Sequence, residues 1–256
     1  MAFFGIRGGG GSGANILKGS TEPASAIGQN GDIYFQYINF VKSIKSLDFT
    51  QGGIFLPVEG KLSTRFVMNF KMTGGSIYAC PLGSRLSNNS RNFLLFTKYN
   101  GANIGYYGMD GTDTLFGDTS SYFNKDLTLD ISCKKIILTD GTNSLEATPT
   151  NTKYLRTYRM CVGAMGNNDA SIDGLTYCEM NCYGVDVYDN DKFLYKFIPA
   201  QDNGINGLLE VFSSKFYSAT GTVSSTAMEE QQDESIIFKT YIKHNGEWEN
   251  LIGYQE

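Results

Sequence analysis

The strongest constraint on the fold is the spacing of apolar runs between residues 38 and 223. The runs are short, Gly, Asn, Asp and Ser separate them, and none has a helical period. Within 127–132 apolar and polar residues alternate strictly, as in an antiparallel strand with one buried face. Many short strands joined by turns predict an all-β sandwich or jelly roll. Strands are predicted at 53–58, 64–72, 92–99, 127–132, 134–139 and 185–188.

The composition supports this fold class and excludes several others. The 256 residues include 30 glycines and 13% aromatic residues, but only 18% charged residues. Disordered chains have few aromatic residues, and helical bundles are rich in Ala, Glu, Lys and Leu. No apolar run approaches the roughly 18 residues of a membrane-spanning helix, so we expect no membrane insertion.

The charge distribution excludes one class of partner. The chain has 21 basic and 26 acidic residues, a net charge of −5. Proteins that hold nucleic acid by its phosphates have a basic stripe, and this sequence has none. We therefore expect no nucleic-acid partner.

The five cysteines are predicted to be buried, reduced thiols. They are Cys80, Cys133, Cys161, Cys178 and Cys182. The last two are four residues apart on a predicted strand, a span of about 13 Å, whereas a disulfide needs Cα atoms within roughly 7 Å. No CxxC or Cys/His pattern with zinc spacing occurs. This cysteine usage favours synthesis in a reducing cytosol.

A family resemblance lies near the end of the apolar pattern. It starts with DVYDNDKFL at 186–194 and KFIPA at 196–200, and continues with GINGLLE at 204–210 and SKFY at 214–217. Together these segments resemble the C-terminal strands of LamG-like, concanavalin A-like jelly-roll domains, which are common in phage and prophage tail proteins. GSR at 83–85, followed by NFLLF at 92–96, is similar to an earlier strand pair of that family. The resemblance implies a concanavalin A-like jelly-roll sandwich.

Two shorter motifs flank this region. Gly19, Pro23, Gly28 and GDIY at 31–34 look like an element found near the adaptor regions of tail fibres. IKHNGEW at 242–248 is similar to a hairpin that often closes phage structural proteins. In this order, around a LamG-like core, the motifs imply a virion component.

These features divide the chain into four parts. We predict a glycine-rich N-terminal anchor or adaptor segment at 1–37, a jelly-roll domain at 38–223, a linker or short surface helix at 224–235 and a C-terminal β-hairpin at 236–256. Asn245-Gly246 is the turn signal of the hairpin, because type I′ turns need positive φ at both central residues. Trp248 is expected to pack on this hairpin.

The sequence argues against catalysis. His244 is the only histidine, and it adjoins the hairpin turn, where we expect it to be exposed rather than part of a catalytic triad. Glucanases of this shape resemble E-x-D-x-x-E on one strand, and no such string occurs. We therefore predict no enzyme, no catalytic residue and no cofactor. Asp189-Asn190-Asp191 is interpreted as a tight turn, with a calcium ion bound there as the alternative.

Glycan binding needs an aromatic face beside polar side chains, because sugars present both apolar ring faces and hydroxyl edges. Three polar or aromatic groups meet this need, and the alternative is that they are ordinary strand and turn residues. The candidate residues are Tyr106, Tyr107, Asp110 and Asp113; Asn88, Asn89 and Arg91; and Asn167, Asn168 and Asp169.

These inferences combine into a predicted function. We expect a phage or prophage virion protein, a tail fibre or receptor-binding subunit, that contacts host-surface polysaccharide without catalysis. It would be made in the bacterial cytoplasm. We expect a homo-oligomer, and the resemblance implies a trimer. The N-terminal segment would attach the chain to other virion proteins. The alternatives are a head or tail decoration protein with no ligand, and a polysaccharide-degrading glycoside hydrolase.

Overall fold

The computed structural model describes residues 15–19, 22–38, 41–75, 78–87, 90–92, 94–97, 103–107, 113–149, 158–167, 171–228 and 236–250. In these ranges the regular structure is β-strand, apart from one 3-10 turn at Ser120–Tyr122. None of these segments contains a helix long and apolar enough to cross a membrane. The predicted fold class, an all-β jelly-roll sandwich with a C-terminal hairpin, is confirmed in its strand content and its sheets.

The strands are numbered in chain order. The first twelve are β1 (Ile16–Gly19), β2 (Ile33–Ile38), β3 (Val41–Ser43), β4 (Ser46–Glu59), β5 (Thr64–Gly75), β6 (Leu82–Ser87), β7 (Ser90–Asn92), β8 (Leu94–Thr97), β9 (Asn103–Tyr107), β10 (Asp113–Asp118), β11 (Asp126–Ser132) and β12 (Ile136–Thr139). The others are β13 (Ser144–Ala147), β14 (Arg159–Val162), β15 (Met165–Asn167), β16 (Ser171–Ile172), β17 (Cys178–Asp189), β18 (Lys192–Asp202), β19 (Ile205–Glu210), β20 (Phe216–Ser218), β21 (Thr220–Thr226), β22 (Ile236–His244) and β23 (Glu247–Asn250).

The chain forms two compact units. The central unit comprises residues 42–232, and the terminal unit comprises residues 1–41 and 233–256. The terminal unit therefore contains both the predicted N-terminal segment and the predicted hairpin. Strand β21 runs to Thr226, where it pairs with Ser46 of β4, so this strand includes the first three residues predicted as linker.

Strand β4 joins two sheets in the central unit. In one sheet the order is β13-β12-β11-β5-β17, and β17 continues to β18, β19 and β20. The beginning of β4 pairs with β17 and β21, whereas residues 54–59 of β4 pair with β14 in a second sheet that includes β6, β7, β15 and β16. Buried side chains from both sheets form one apolar core.

Strand β5 shows how the alternating pattern builds this core. Phe66, Met68, Phe70 and Met72 are buried, while the residues between them point to the other face and are at least partly exposed. Phe66 lies directly between Ile131 of β11 and Val187 of β17, and none of these three side chains has exposed surface. The buried face of the predicted period-two pattern is thus the centre of the sandwich.

The predicted state of the cysteines is confirmed, since all five are free and buried. Burial in apolar surroundings disfavours the thiolate and raises the pKa of Cys161 to about 12 and that of Cys182 to about 12.

We therefore expect the folded protein to resist thiol reagents, because the thiolate is the reactive form. Titration with a coloured disulfide reagent at pH 8 should label all five thiols in denaturant but none rapidly in the folded chain. A thiol that reacts at the denatured rate in the folded chain would contradict its buried position.

The terminal unit brings together the two flanking motifs of the sequence. Its sheet has the order β1-β2-β22-β23, and β2 runs antiparallel to β22 with Tyr34 opposite Tyr241. At the end of this pairing the Lys243 amide donates to the Asp32 carbonyl at 2.9 Å, and the Gly31 amide donates to the Lys243 carbonyl at 2.8 Å. Segments about 210 residues apart therefore form one sheet.

Lys243 holds the loop that precedes β2. Its ammonium donates to the backbone carbonyls of Ser25, Ile27 and Gly28, at 2.7 Å for Ile27 and 3.2 Å for Gly28, and the side chain is buried. The indole of Trp248 packs against Lys243 and donates to the Ala24 carbonyl. This contact confirms that Trp248 packs on the hairpin.

The structure explains why residue 28 is a glycine. Its φ is +74°, and a Cβ there would lie 2.9 Å from the indole of Trp248. Only glycine fits both the backbone conformation and this close approach. The absence of a side chain at Gly28 in the first motif thus leaves room for Trp248 of the second.

The two predicted turns are observed. Asn245 and Gly246 have φ values of 50° and 85° between β22 and β23, as a type I′ hairpin requires. Asn190 and Asp191 have φ values of 48° and 63° between β17 and β18. Asp191 therefore adopts a left-handed backbone conformation, which Asn and Asp tolerate better than most non-glycine residues.

Candidate functional site

Two of the predicted site residues lie in one row across the second sheet. Arg85 of β6 pairs with Arg91 of β7 on one side and with Asn167 of β15 on the other, and Asn167 pairs with Ser171 of β16. Two strand spacings separate Arg91 from Asn167, a distance of about 10 Å. We call this row, together with Asp173, the Arg85 edge.

Arg85 sets the orientation of Asn167. Its Nε donates to Asn167 Oδ1 at 2.7 Å, and its Nη2 forms an ion pair with Asp173 Oδ2. Because the amide oxygen of Asn167 accepts this bond, its Nδ2 group points away from Arg85 and carries two donors. The side chain of Asp173 is only 11% exposed and also accepts from the Leu175 amide at 3.1 Å, so the ion pair is anchored to the backbone.

The direction of the strands explains why distant segments meet here. β6 and β15 run parallel, so both end at the same edge of the sheet. β6 ends at Ser87 and β15 ends at Asn167, each directly before a predicted Asn-rich turn. Asn88, Asn89, Asn168 and Asp169 lie outside the described residues.

The predicted aromatic group lies in another sheet. β8, β9 and β10 form a three-stranded sheet in which Tyr107 is opposite Asp113, and Tyr106 is opposite Thr114. The described register therefore pairs Tyr107 with Asp113 along the backbone. Asp110 lies outside the described residues. The five candidates that the structure describes are therefore distributed over two sheets.

Several ionisable residues have structural partners. His244 is exposed at the end of β22, as expected, and its Nδ1 lies 3.2 Å from Glu249 Oε1. Asp130 accepts two hydrogen bonds of 2.7 Å from Arg65 in a bidentate ion pair. Among the described residues, no group of three His, Cys, Asp or Glu side chains is arranged to hold a metal ion.

Asp140 is fixed in the turn after β12. Lys125 Nζ donates to its carboxylate at 2.7 Å, and the amides of Thr142 and Asn143 donate at 3.0 and 2.6 Å. The bond from Lys125, followed by the two backbone bonds, lowers the pKa of Asp140 well below its usual range. This carboxylate stays ionised, and its hydrogen bonds stabilise the turn after β12.

The Arg85 edge can present oriented donors to oxygen atoms of a ligand. The described parts are the Asn167 amide, the half-buried Arg85 guanidinium and the backbone position of Arg91. Neither Arg85 nor Asp173 was among the predicted site residues. The GSR motif at 83–85 contained Arg85, but only the register shows that it separates Arg91 from Asn167.

Comparisons with known proteins give distant likenesses only. No protein-family profile matches the chain, and no curated protein matches it significantly. A crystal structure from Bacteroides ovatus, described provisionally as a carbohydrate-binding protein, is 8% identical with a TM-score of 0.48 over 79% of this chain and 71% of that one. A heptameric SAP-like pentraxin from Limulus polyphemus is 9% identical with a TM-score of 0.38 over 74% of this chain and 94% of that one. At these TM-scores the likenesses carry no argument about ligand, assembly or activity.

Proposed function

We propose that this chain is a non-catalytic, carbohydrate-binding protein of a phage or prophage virion, a tail fibre or receptor-binding subunit that contacts host-surface glycans. The observation that carries the binding proposal is the parallel pairing of β6 and β15. This pairing brings Arg91 and Asn167 to one edge of a sandwich. Oriented amides and guanidinium groups are suited to the hydroxyl and carbonyl oxygens of a sugar.

The virion assignment rests on the sequence resemblance. The segments at 186–217 and the two flanking motifs resemble those of phage and prophage tail proteins. The contact between Lys243 and the loop before β2 supports treating the two motifs as one functional module. We propose that this module attaches the chain to other virion proteins.

Three of the described carboxylates are engaged in ion pairs, which is consistent with non-catalytic binding. Asp130 is held by Arg65, Asp140 by Lys125 and Asp173 by Arg85. A glycosidase instead needs two carboxylates on opposite sides of the scissile bond, one of them free to donate a proton.

We propose that the chain acts as a homotrimer, in which avidity multiplies the effect of each weak contact with the glycan. Avidity of this kind can raise the apparent affinity by about 10² to 10⁴.

A glycan array tests the binding proposal. The full chain, presented multivalently, should bind a limited set of host-type polysaccharides without releasing reducing ends. No binding to any glycan would contradict the proposal and favour a decoration protein, whereas reducing-end release would favour the hydrolase. Electron microscopy of particles labelled on this chain tests the location: label on the tail supports the proposal, and label on the head contradicts it.

A further inference from the structure

A bulge in the central strand β17 gives Tyr183 an unusual position. Cys182 is opposite Phe70 of β5 and Gly184 is opposite Asn69, so Tyr183 is an extra residue without a partner on β5. Gly184 has a φ of +153°, and a Cβ there would lie 3.0 Å from the Phe197 carbonyl oxygen. Bulges of this kind redirect one side chain and are common beside functional sites.

The redirected Tyr183 side chain reaches across β5 to β11. Its hydroxyl donates to Asp126 Oδ1 at 2.8 Å. Partial burial and the bond to Asp126 raise the pKa of Tyr183 to about 12, so the phenol remains a neutral donor at physiological pH. Asp126 Oδ2 is left as an acceptor, since no described residue donates to it.

A second polar group in this region is also oriented. Thr128 Oγ1 donates to Asn69 Oδ1 at 2.8 Å. The amide nitrogen of Asn69 is therefore left for other partners, and no described acceptor takes its protons. Asn69 Nδ2 and Asp126 Oδ2 thus supply donors and an acceptor on the same side of the sheet, where β5 and β11 are adjacent.

These groups line a cleft of about 470 Å³ on the outer face of the sheet. This volume lies within the range of small-ligand sites, roughly 300 to 1,000 Å³. Asn69 of β5 and Asp126 and Thr128 of β11 form the floor, and Tyr183 and the turn at Asp140 and Gly141 form walls.

We propose that this cleft binds one neutral sugar residue, at a site separate from the Arg85 edge. An apolar face of the sugar ring lies against the Tyr183 ring, one hydroxyl donates to Asp126 Oδ2, and a sugar oxygen accepts from Asn69 Nδ2. A neutral sugar fits better than an acidic one because the acceptor offered to the ligand, Asp126 Oδ2, is itself a carboxylate oxygen, whereas the Asp140 carboxylate is already paired with Lys125. The choice of a sugar rests on the proposed function, whereas the existence of an oriented polar cleft does not.

Binding of neutral methyl glycosides to the full chain tests this site. Saturation-transfer NMR with methyl glucoside, galactoside, mannoside and N-acetylglucosaminide should detect at least one ligand with a millimolar dissociation constant. Asn69→Ala should weaken that binding about tenfold, as expected for the loss of one good hydrogen bond. Tyr183→Ala should abolish it. Thr73→Ala, a change at an exposed position of β5, the strand that carries Asn69, should leave the dissociation constant unchanged.

Two results would overturn the cleft proposal. One is the absence of binding by all four glycosides, and the other is equal affinity of the wild-type and Asn69→Ala proteins. Because Asn69 is exposed, the second comparison remains valid even if Tyr183→Ala does not fold. If no methyl glycoside binds but the glycan array still shows binding, the cleft proposal fails and the proposed function stands. If the array shows no binding, the proposed function itself fails.

Discussion

Replacing Lys243 by methionine should destabilise the terminal unit by about 2 to 4 kcal/mol, because hydrogen bonds from a buried charged group are strong and costly to lose. Lys243 is 5% exposed, and its ammonium is bound to three backbone carbonyls of the loop before β2. Methionine can keep the contact with Trp248 but cannot donate to these carbonyls. The change therefore removes the polar link between the two motifs and keeps much of the packing.

Hydrogen exchange of the amides in β2 and β22 measures this effect in the full chain. The matched control is Lys239→Met on the same strand, because Lys239 is less buried than Lys243 and pairs with Glu22, whose side chain is 69% exposed. Exposed pairs contribute about 0 to 1 kcal/mol. Equal protection in the Lys243→Met protein and the wild type would show that the loop is held by other contacts.

Replacing Phe66 by alanine should lower the free energy of unfolding of the central unit by about 3 to 5 kcal/mol. Phe66 has no exposed surface and is flanked by Ile131 and Val187, which are equally buried. These neighbours belong to strands held on both sides, so they cannot move inward to fill the cavity. The cost should therefore lie near the upper part of the range.

Denaturant unfolding followed by fluorescence or circular dichroism measures this change. Val67→Ala is the control, because it shortens the next side chain, which points to the other face of the sheet and is partly exposed. The control should cost less than about 1 kcal/mol. A Phe66→Ala protein as stable as Val67→Ala would contradict the assignment of β5 to the centre of the core.

Local patterns in the sequence were enough to predict parts of β4, β5, β11, β12 and β17 and two turns, whereas the segment 92–99, predicted as one strand, contains the end of β7 and the separate strand β8. The alternation in 127–132 gave β11, and Asn245-Gly246 gave the hairpin β22-β23, because each depends on neighbouring residues alone. The buried, reduced state of the cysteines was also predictable from the sequence, because it depends on local spacing and residue type and not on a pairing with a distant segment. The prediction of the fold class rested on these local features together.

Pairings between distant segments could not be read from the sequence. The parallel register of Arg85 with Asn167 joins residues 82 positions apart, and the pairing of β2 with β22 joins strands about 200 positions apart. The bulge at Tyr183 depends on the fit of β17 against β5, and its only local signal was the glycine at position 184. Polar residues in predicted turns were therefore easier to list than to assemble into a site.

The most direct test of the account compares glycan binding by wild-type protein and by Asn167→Ala at the Arg85 edge. On a polysaccharide that the array identifies, Asn167→Ala should raise the monovalent dissociation constant about tenfold, because the oriented Nδ2 donors are lost. Gln51→Ala, an exposed change on β4 of the same unit, should leave the constant unchanged. An unchanged constant for Asn167→Ala would contradict the claim that this edge of the sandwich binds the glycan.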